Sequence, residues 1–129
     1  MRIQLASITV DDQDKAQHFY TETVGFKVKN DIPMGEHRWL TVTSPDGVDG
    51  VELVLEPAAF PPALTYQKAL FEAGIPATAF FTEDVHAEYQ RLKAAGVVFR
   101  GEPQAMGNVI VVLFEDTCGN LINLVQVTD

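Results

Sequence analysis

Two polar residues stand where apolar strands would carry aliphatic side chains, and they are the first candidates for chemistry. Glu52 lies within VELVLE and Asn123 within LINLV. A carboxylate among apolar neighbours can anchor a cationic ligand or serve as a general base. Its plain structural alternative is a carboxylate bonded to Asn123 or to a backbone amide across the sheet. A buried amide that lost its hydrogen bonds would cost ~1–3 kcal/mol, so Asn123 needs a partner: Glu52, water or a ligand. Trp39 is the only tryptophan; its indole could either pack in the core or offer a flat surface worth ~0.5–2 kcal/mol to a cation above it. His37 opens the run HRWLTVT and could reach a cavity rim or simply end a strand, while His18 and His86 fall on helices. Cys118 sits in a turn with no histidine close in sequence, which suits a turn position better than a nucleophile.

The elements that must position these residues follow from hydrophobic spacing. SITVDDQDKAQHFYTETVGFKV, from Ser7, and AFFTEDVHAEYQRLKAAGVVF, from Ala79, share one plan. Each has an extended run, an acidic pair, an amphipathic helix, a glycine and another extended run. Asp12 and Asp84 are 72 positions apart, Gly25 and Gly96 are 71 apart, and the near-constant offset marks an internal duplication. Aspartate suits a helix N-terminus because it accepts from unpaired amides and complements the dipole, and glycine ends a helix by adopting a left-handed backbone. Ala16, Phe19, Tyr20 and Val24, and then Val85, Tyr89, Leu92 and Ala95 or Gly96, recur at helical spacing.

Strands are predicted over 26–31, 38–44 and 51–56 in the first half, and over 97–100, 109–115 and 121–127 in the second. The turns SPDGVDG and EDTCGN reverse the chain before the last strand of each half. Between the halves, Pro57, Pro61, Pro62 and Pro76 interrupt a linker of about 57–76 around a short helix over 66–73. The prediction is an α+β domain of two βαβββ modules, about 1–57 and 77–129, whose sheets share a concave interior. Alternation points Leu5, Ser7, Thr9, Trp39, Thr41, Glu52, Val54 and Glu56 inward, with Ala77, Ala79, Phe81, Leu121, Asn123 and Val125 as second-half counterparts. Such a lining is apolar with a few polar anchors, as small-molecule sites are. Met106 in GEPQAMGN, and Tyr66 and Phe71 on the linker helix, could gate it or pack down.

Composition narrows the classes of function. The chain has 129 residues, 47% hydrophobic and 21% charged, enough for one globular domain. A net charge of −9 repels phosphate backbones and anionic membranes, so neither nucleic acid nor membrane is an expected partner. A single cysteine can close no disulfide within the chain, and the N-terminal stretch reads as neither a secretory signal nor a span. A cytoplasmic protein is expected.

The βαβββ order taken twice, with VDD…FYTETVGF near the start and EDTCGNLINLV near the end, resembles the vicinal oxygen chelate superfamily of glyoxalase, extradiol dioxygenases and bleomycin-resistance proteins. The resemblance covers nearly the whole chain and implies fold more strongly than function. It implies a cleft in which His, Gln or Glu from four strands bind a divalent metal. Those positions fall on Leu5, Glu52, Ala77 and Asn123, of which only one is anionic, so no metal and no cofactor are expected. The resemblance also implies a homodimer. The function expected is therefore metal-free binding of a small cationic or aromatic molecule, with Trp39, Glu52, Asn123, His37, Thr41 and Phe81 as ligand-binding residues. The alternative is a lyase or dioxygenase-type enzyme of the same superfamily, using a displaced metal site or Glu52 as general base.

Overall fold

The computed structural model describes all of Met1–Asp129, in two compact units, Met1–Tyr66 and Gln67–Asp129. The first unit holds β1 (Leu5–Val10), α1 (Gln13–His18), β2 (Lys27–Met34), β3 (His37–Thr43) and β4 (Glu52–Pro57). A helix α2 (Pro61–Ala73) leads into the second, which holds β5 (Thr78–Phe81), α3 (Val85–Ala94), β6 (Gln104–Met106), β7 (Val109–Glu115) and β8 (Leu121–Val127). The fold is α+β with two βαβββ modules. Each carries a four-stranded sheet, ordered β1-β4-β3-β2 and β5-β8-β7-β6, in which the opening and closing strands pair in parallel.

In the first unit Asp12 caps α1 by accepting from the Lys15 amide at 3.0 Å, and the chain continues as a π-helical turn over Phe19–Thr23. The Val24 amide donates to Phe19 O at 3.0 Å, five residues back, and Gly25, at φ +101°, releases the chain into β2. The helical stretch buries Ala16, Phe19 and Tyr20 against Ile8, Val10, Leu40, Val42 and Leu55. Gln13 ties it to the sheet: its amide donates to Arg38 O and Leu55 O at 2.8 and 2.9 Å and accepts from the Arg38 amide at 3.0 Å. The outer strand β2 carries a bulge at Lys29, since Val28 pairs with Val42 but Asn30 with Thr41.

The second unit repeats the plan with different details. Asp84 caps α3 by accepting from the Ala87 amide at 3.0 Å, and the Val85 amide donates to Gln126 Oε1 at 2.9 Å. Val85, Tyr89 and Leu92 pack on the side of the sheet that carries Val112, Phe114, Ile122 and Leu124, all buried. Here the structure departs from the predicted strand over 97–100. Phe99 makes only an isolated bridge to Phe114, its ring meeting Tyr89 at 4.7 Å, and the regular strand resumes at Gln104–Met106. Gly101, at φ +107°, and Pro103, without an N–H, interrupt the ladder between them. Met106 therefore belongs to a strand rather than a loop, with its side chain exposed. The α2 helix also starts five residues earlier than predicted: Pro61 and Pro62 open it instead of interrupting it, because the first turn of a helix has no donor to lose.

The turn before β8 is a buried polar knot. Asp116 is fully buried; its Oδ1 accepts from the amides of Cys118 and Asn120 at 2.8 and 3.0 Å, and its Oδ2 from the Asn120 side chain at 2.8 Å. Gln67 of α2 donates to Cys118 O at 3.0 Å and to Asn120 Oδ1 at 3.2 Å. Gly119 is required twice over: its φ is +95°, and a Cβ there would lie 2.9 Å from Gln67 Nε2. Cys118, buried in this knot, fills the turn position expected of it. Replacing Asp116 with alanine strands several buried donors and should lower the unfolding free energy by ~2–4 kcal/mol in urea titration; an unchanged midpoint would place the turn outside the cooperative unit.

Candidate functional site

The registers decide which side chains share the sheet face turned away from the helix. In the first unit Leu5 pairs with Glu52, Ser7 with Val54 and Thr9 with Glu56, while Thr41 pairs with Val54 on one side and Asn30 on the other. Trp39, two residues along β3, pairs with Ile32 on this face. Leu5, Ser7, Thr9, Trp39, Thr41, Glu52, Val54 and Glu56 thus share one face, as alternation predicts.

At the centre of this face lies a row of three polar residues from three adjacent strands. Glu52 Oε1 accepts from Thr41 Oγ1 at 2.7 Å and from Asn30 Nδ2 at 2.9 Å. The Asn30 amide also lies 3.1 Å from Thr41 Oγ1. A carboxylate accepts only, so the amide must turn its NH2 toward it, and the hydroxyl, which has one proton to give, receives from Asn30 and donates to Glu52. Glu52 Oε2 and Asn30 Oδ1 take no hydrogen bond from the protein. Thr41 is fully buried, so the hydroxyl that braces the carboxylate is not shared with solvent. The partners of Glu52 are therefore on its own sheet; Asn30 was not among the candidate residues.

In the second unit Asn123 pairs with Ala79 on β5 and Leu113 on β7, and Phe81 pairs with Val125. Asn123 makes no side-chain hydrogen bond within its unit. Phe81 ends β5 with its ring exposed. Ala77 precedes the strand, its amide donating to Leu121 O at 2.8 Å. The residue across the ladder from Asn123, as Leu5 is from Glu52, is Ala79, two positions past Ala77. The connection from strand to helix cap is shorter in the second unit, because β5 has four residues where β1 has six, and counting back from the acidic pair overshoots.

His37 does not join Glu52. It is the exposed first residue of β3, four positions from Thr41, and lines a separate depression of about 640 Å³ with Asp11, Asp12, Asp14, Glu36, Pro57 and Ala58. Beside it Arg38 turns to the helix side, meeting Asp14, donating to Gln17 Oε1 at 2.7 Å and placing its Nε 3.2 Å from Asp31 without an aligned hydrogen bond. Asp14 is largely exposed, so that pair adds little stability, and the arginine acts mainly as a spacer between helix and strand. His18 and His86 are exposed on their helices.

Neither Leu5 with Glu52 in the first unit nor Ala79 with Asn123 in the second fits a divalent cation. Two are aliphatic, one is a neutral amide, and one oxygen of the sole carboxylate is already committed to Thr41 and Asn30. A cation of this kind needs several anionic or imidazole donors to offset its dehydration. Nowhere do three or more His, Cys, Asp or Glu side chains gather to hold a metal.

Two βαβββ modules, each with its first and last strands paired in parallel, define the class of protein. The model of the Glyoxalase/Bleomycin resistance protein/Dioxygenase superfamily matches residues 2–124, and the chain belongs to that superfamily. Among its relatives, YurT of Bacillus subtilis (strain 168), described as uncharacterized, is 54% identical over 126 residues, covering 98% of this chain and 99% of YurT. Two solved structures are similar throughout: UcmS2, at TM-score 0.84 and 35% identity, covering 97% of each chain, and TnmS3, an antibiotic binding protein from Streptomyces sp. CB03234. TnmS3 has a TM-score of 0.78 and 34% identity, covering 98% of this chain and 96% of its own.

Because the Asn123 amide has no partner in its unit, its polarity adds nothing to the sheet that holds it. Asn123→Leu is expected to leave the unfolding midpoint unchanged or to raise stability by up to ~1 kcal/mol in chemical denaturation; a clear loss would reveal a structural partner for the amide.

Proposed function

We propose that this protein binds a small cationic or aromatic molecule on the sheet face that carries Glu52, without a metal, and sequesters rather than converts it. One observation carries the reading: the carboxylate has one oxygen braced by two neutral donors, Thr41 and Asn30, and the other open. Such a group can receive a cationic hydrogen-bond donor but cannot by itself complete the shell of a metal ion. Trp39 supplies a flat apolar surface on the same face, two residues along β3 from Thr41. The likeness to TnmS3, an antibiotic binding protein, supports a small-molecule ligand.

A second reading, catalysis with Glu52 as general base, is favoured by the same open oxygen. It lacks a histidine or thiol partner: His37 lies at the far end of β3 and Cys118 is closed inside the Asp116 turn. We further propose a homodimer, a reading supported by the exposed apolar side chains of Leu5 and Ile32 on one sheet face, and a cytoplasmic location, in keeping with the single cysteine, Cys118.

Metal analysis of the purified protein should find no stoichiometric nickel, zinc, iron or manganese, and a full equivalent of any of them would overturn the metal-free reading. Thermal shift against a panel of aromatic amines should return stabilising compounds, since a ligand at 100 times its dissociation constant adds about 2.7 kcal/mol. Trp39→Ala is expected to abolish that shift while leaving the unliganded protein folded; a retained shift would assign the indole to the scaffold.

A further inference from the structure

We propose that Asn30 and Thr41 are positioning residues that turn Glu52 into a receptor for a primary ammonium group of the ligand. The inference rests on the binding reading above and adds to it the chemical class of the group recognised. Thr41 and Asn30 both direct protons at Oε1, so the carboxylate cannot rotate without losing two hydrogen bonds. Its Oε2 is left with a fixed direction. Asn30, having turned its NH2 to Glu52, leaves Oδ1 as a second acceptor in the same polar row. Two neighbouring acceptors, one of them anionic, match a cation that carries at least two N–H groups. A quaternary ammonium has none to give, and a neutral hydroxyl lacks the charge.

The bulge in β2 shows how this row is built. Before it, Lys27 pairs with Thr43 and Val28 with Val42; beyond it, Asn30 pairs with Thr41 and Asp31 with Leu40. Were the register continued without the extra residue, Lys29 would stand opposite Thr41. Its ammonium would then share a sheet face with Glu52 and could neutralise the carboxylate from within. The bulge keeps Lys29 out of the place opposite Thr41 and puts there an amide that both braces one oxygen and contributes an acceptor, while Lys27, paired with Thr43 on the same face, makes no ion pair with Glu52. Re-aiming a side chain is a recurrent use of bulges.

Three probes that share a benzyl body separate the possibilities: benzylammonium, benzyl alcohol and benzyltrimethylammonium. Binding is followed by the emission of Trp39, the only tryptophan. Wild-type protein is expected to prefer benzylammonium over both others by roughly tenfold or more, the scale of one charge-assisted hydrogen bond. Thr41→Val and Asn30→Leu should each bring that ratio close to one, whereas Thr41→Ser, which keeps the hydroxyl, should preserve it. A purely structural role would alter melting temperature without altering the ratio among probes. The proposal is overturned by wild-type protein that shows no preference for the primary amine or binds none of the probes. It is also overturned by a preference that survives in a folded Thr41→Val or Asn30→Leu variant. Binding of benzyl alcohol as tight as that of the amine would end the ammonium assignment yet leave the small-molecule reading standing. A bound stoichiometric metal would instead remove that reading.

Discussion

The parallel pairing of the first and last strands of each unit is the constraint on which the rest depends. A parallel partner cannot follow by a short turn, so the helix and two further strands must be completed before the closing strand returns beside the opening one. That return sets Leu5 beside Glu52 and Ala79 beside Asn123. A slip of one residue would move every one of these side chains to the helix-covered side. The slip is resisted by Ile8, Val10, Leu40 and Leu55 in the first unit and by Phe114, Ile122 and Leu124 in the second, all buried on the helix side. The polar residues keep their place because the apolar ones have no alternative.

Each unit also secures its helix to its sheet through a glutamine, and the two solutions differ. Gln13 lies in α1 and reaches the backbones of β3 and β4, closing both a donor and an acceptor on Arg38. Gln126 lies in β8 and reaches the first amide of α3. A helix N-terminus leaves amides unpaired, and Gln126 satisfies one of them, whereas Gln13 satisfies backbone groups of the strands. The duplication is thus preserved in its topology and in its capping aspartates, while the links between helix and strand are rebuilt locally.

Much of the fold was legible in the sequence, and for identifiable reasons. The aspartate caps and glycine stops were visible because they answer local needs of helix ends, and Val85, Tyr89 and Leu92 because burial imposes a helical period. What escaped depends on the partner rather than on the residue itself. The run KVKNDIPM shows no alternation from which its bulge could be inferred, so Asn30 offered no sign that it would reach Glu52. The break between Phe99 and Gln104 was read as strand then loop because Val97 to Phe99 is apolar, whereas the interruption is made by Gly101 and Pro103. Pro61 and Pro62 read as breakers because proline stops a helix almost everywhere except where it starts one. The second-half position was misplaced by two because the count assumed strands of equal length.

Solvating Glu52 with neutral donors has a physical consequence. Glu52 is a half-buried charge beside Leu5 and Val54, and withdrawing a charge from water is costly unless it is hydrogen-bonded. Two ways of lowering that cost are available: a counter-ion from the protein, or neutral donors that solvate the carboxylate without cancelling it. A lysine stands one residue from the required place, yet the backbone bulges past it. The protein uses a hydroxyl and an amide instead, each from its own strand, and so keeps the negative charge available for something outside the chain. Neutral donors also leave the electrostatic field of the face intact, so an arriving cation meets a charge already oriented and need not reorganise the site to reach it. The same arrangement works against a divalent ion, which would need both carboxylate oxygens and further anions. Selectivity for a monovalent organic cation over a metal therefore follows from how the carboxylate is solvated, as much as from which donors the face lacks.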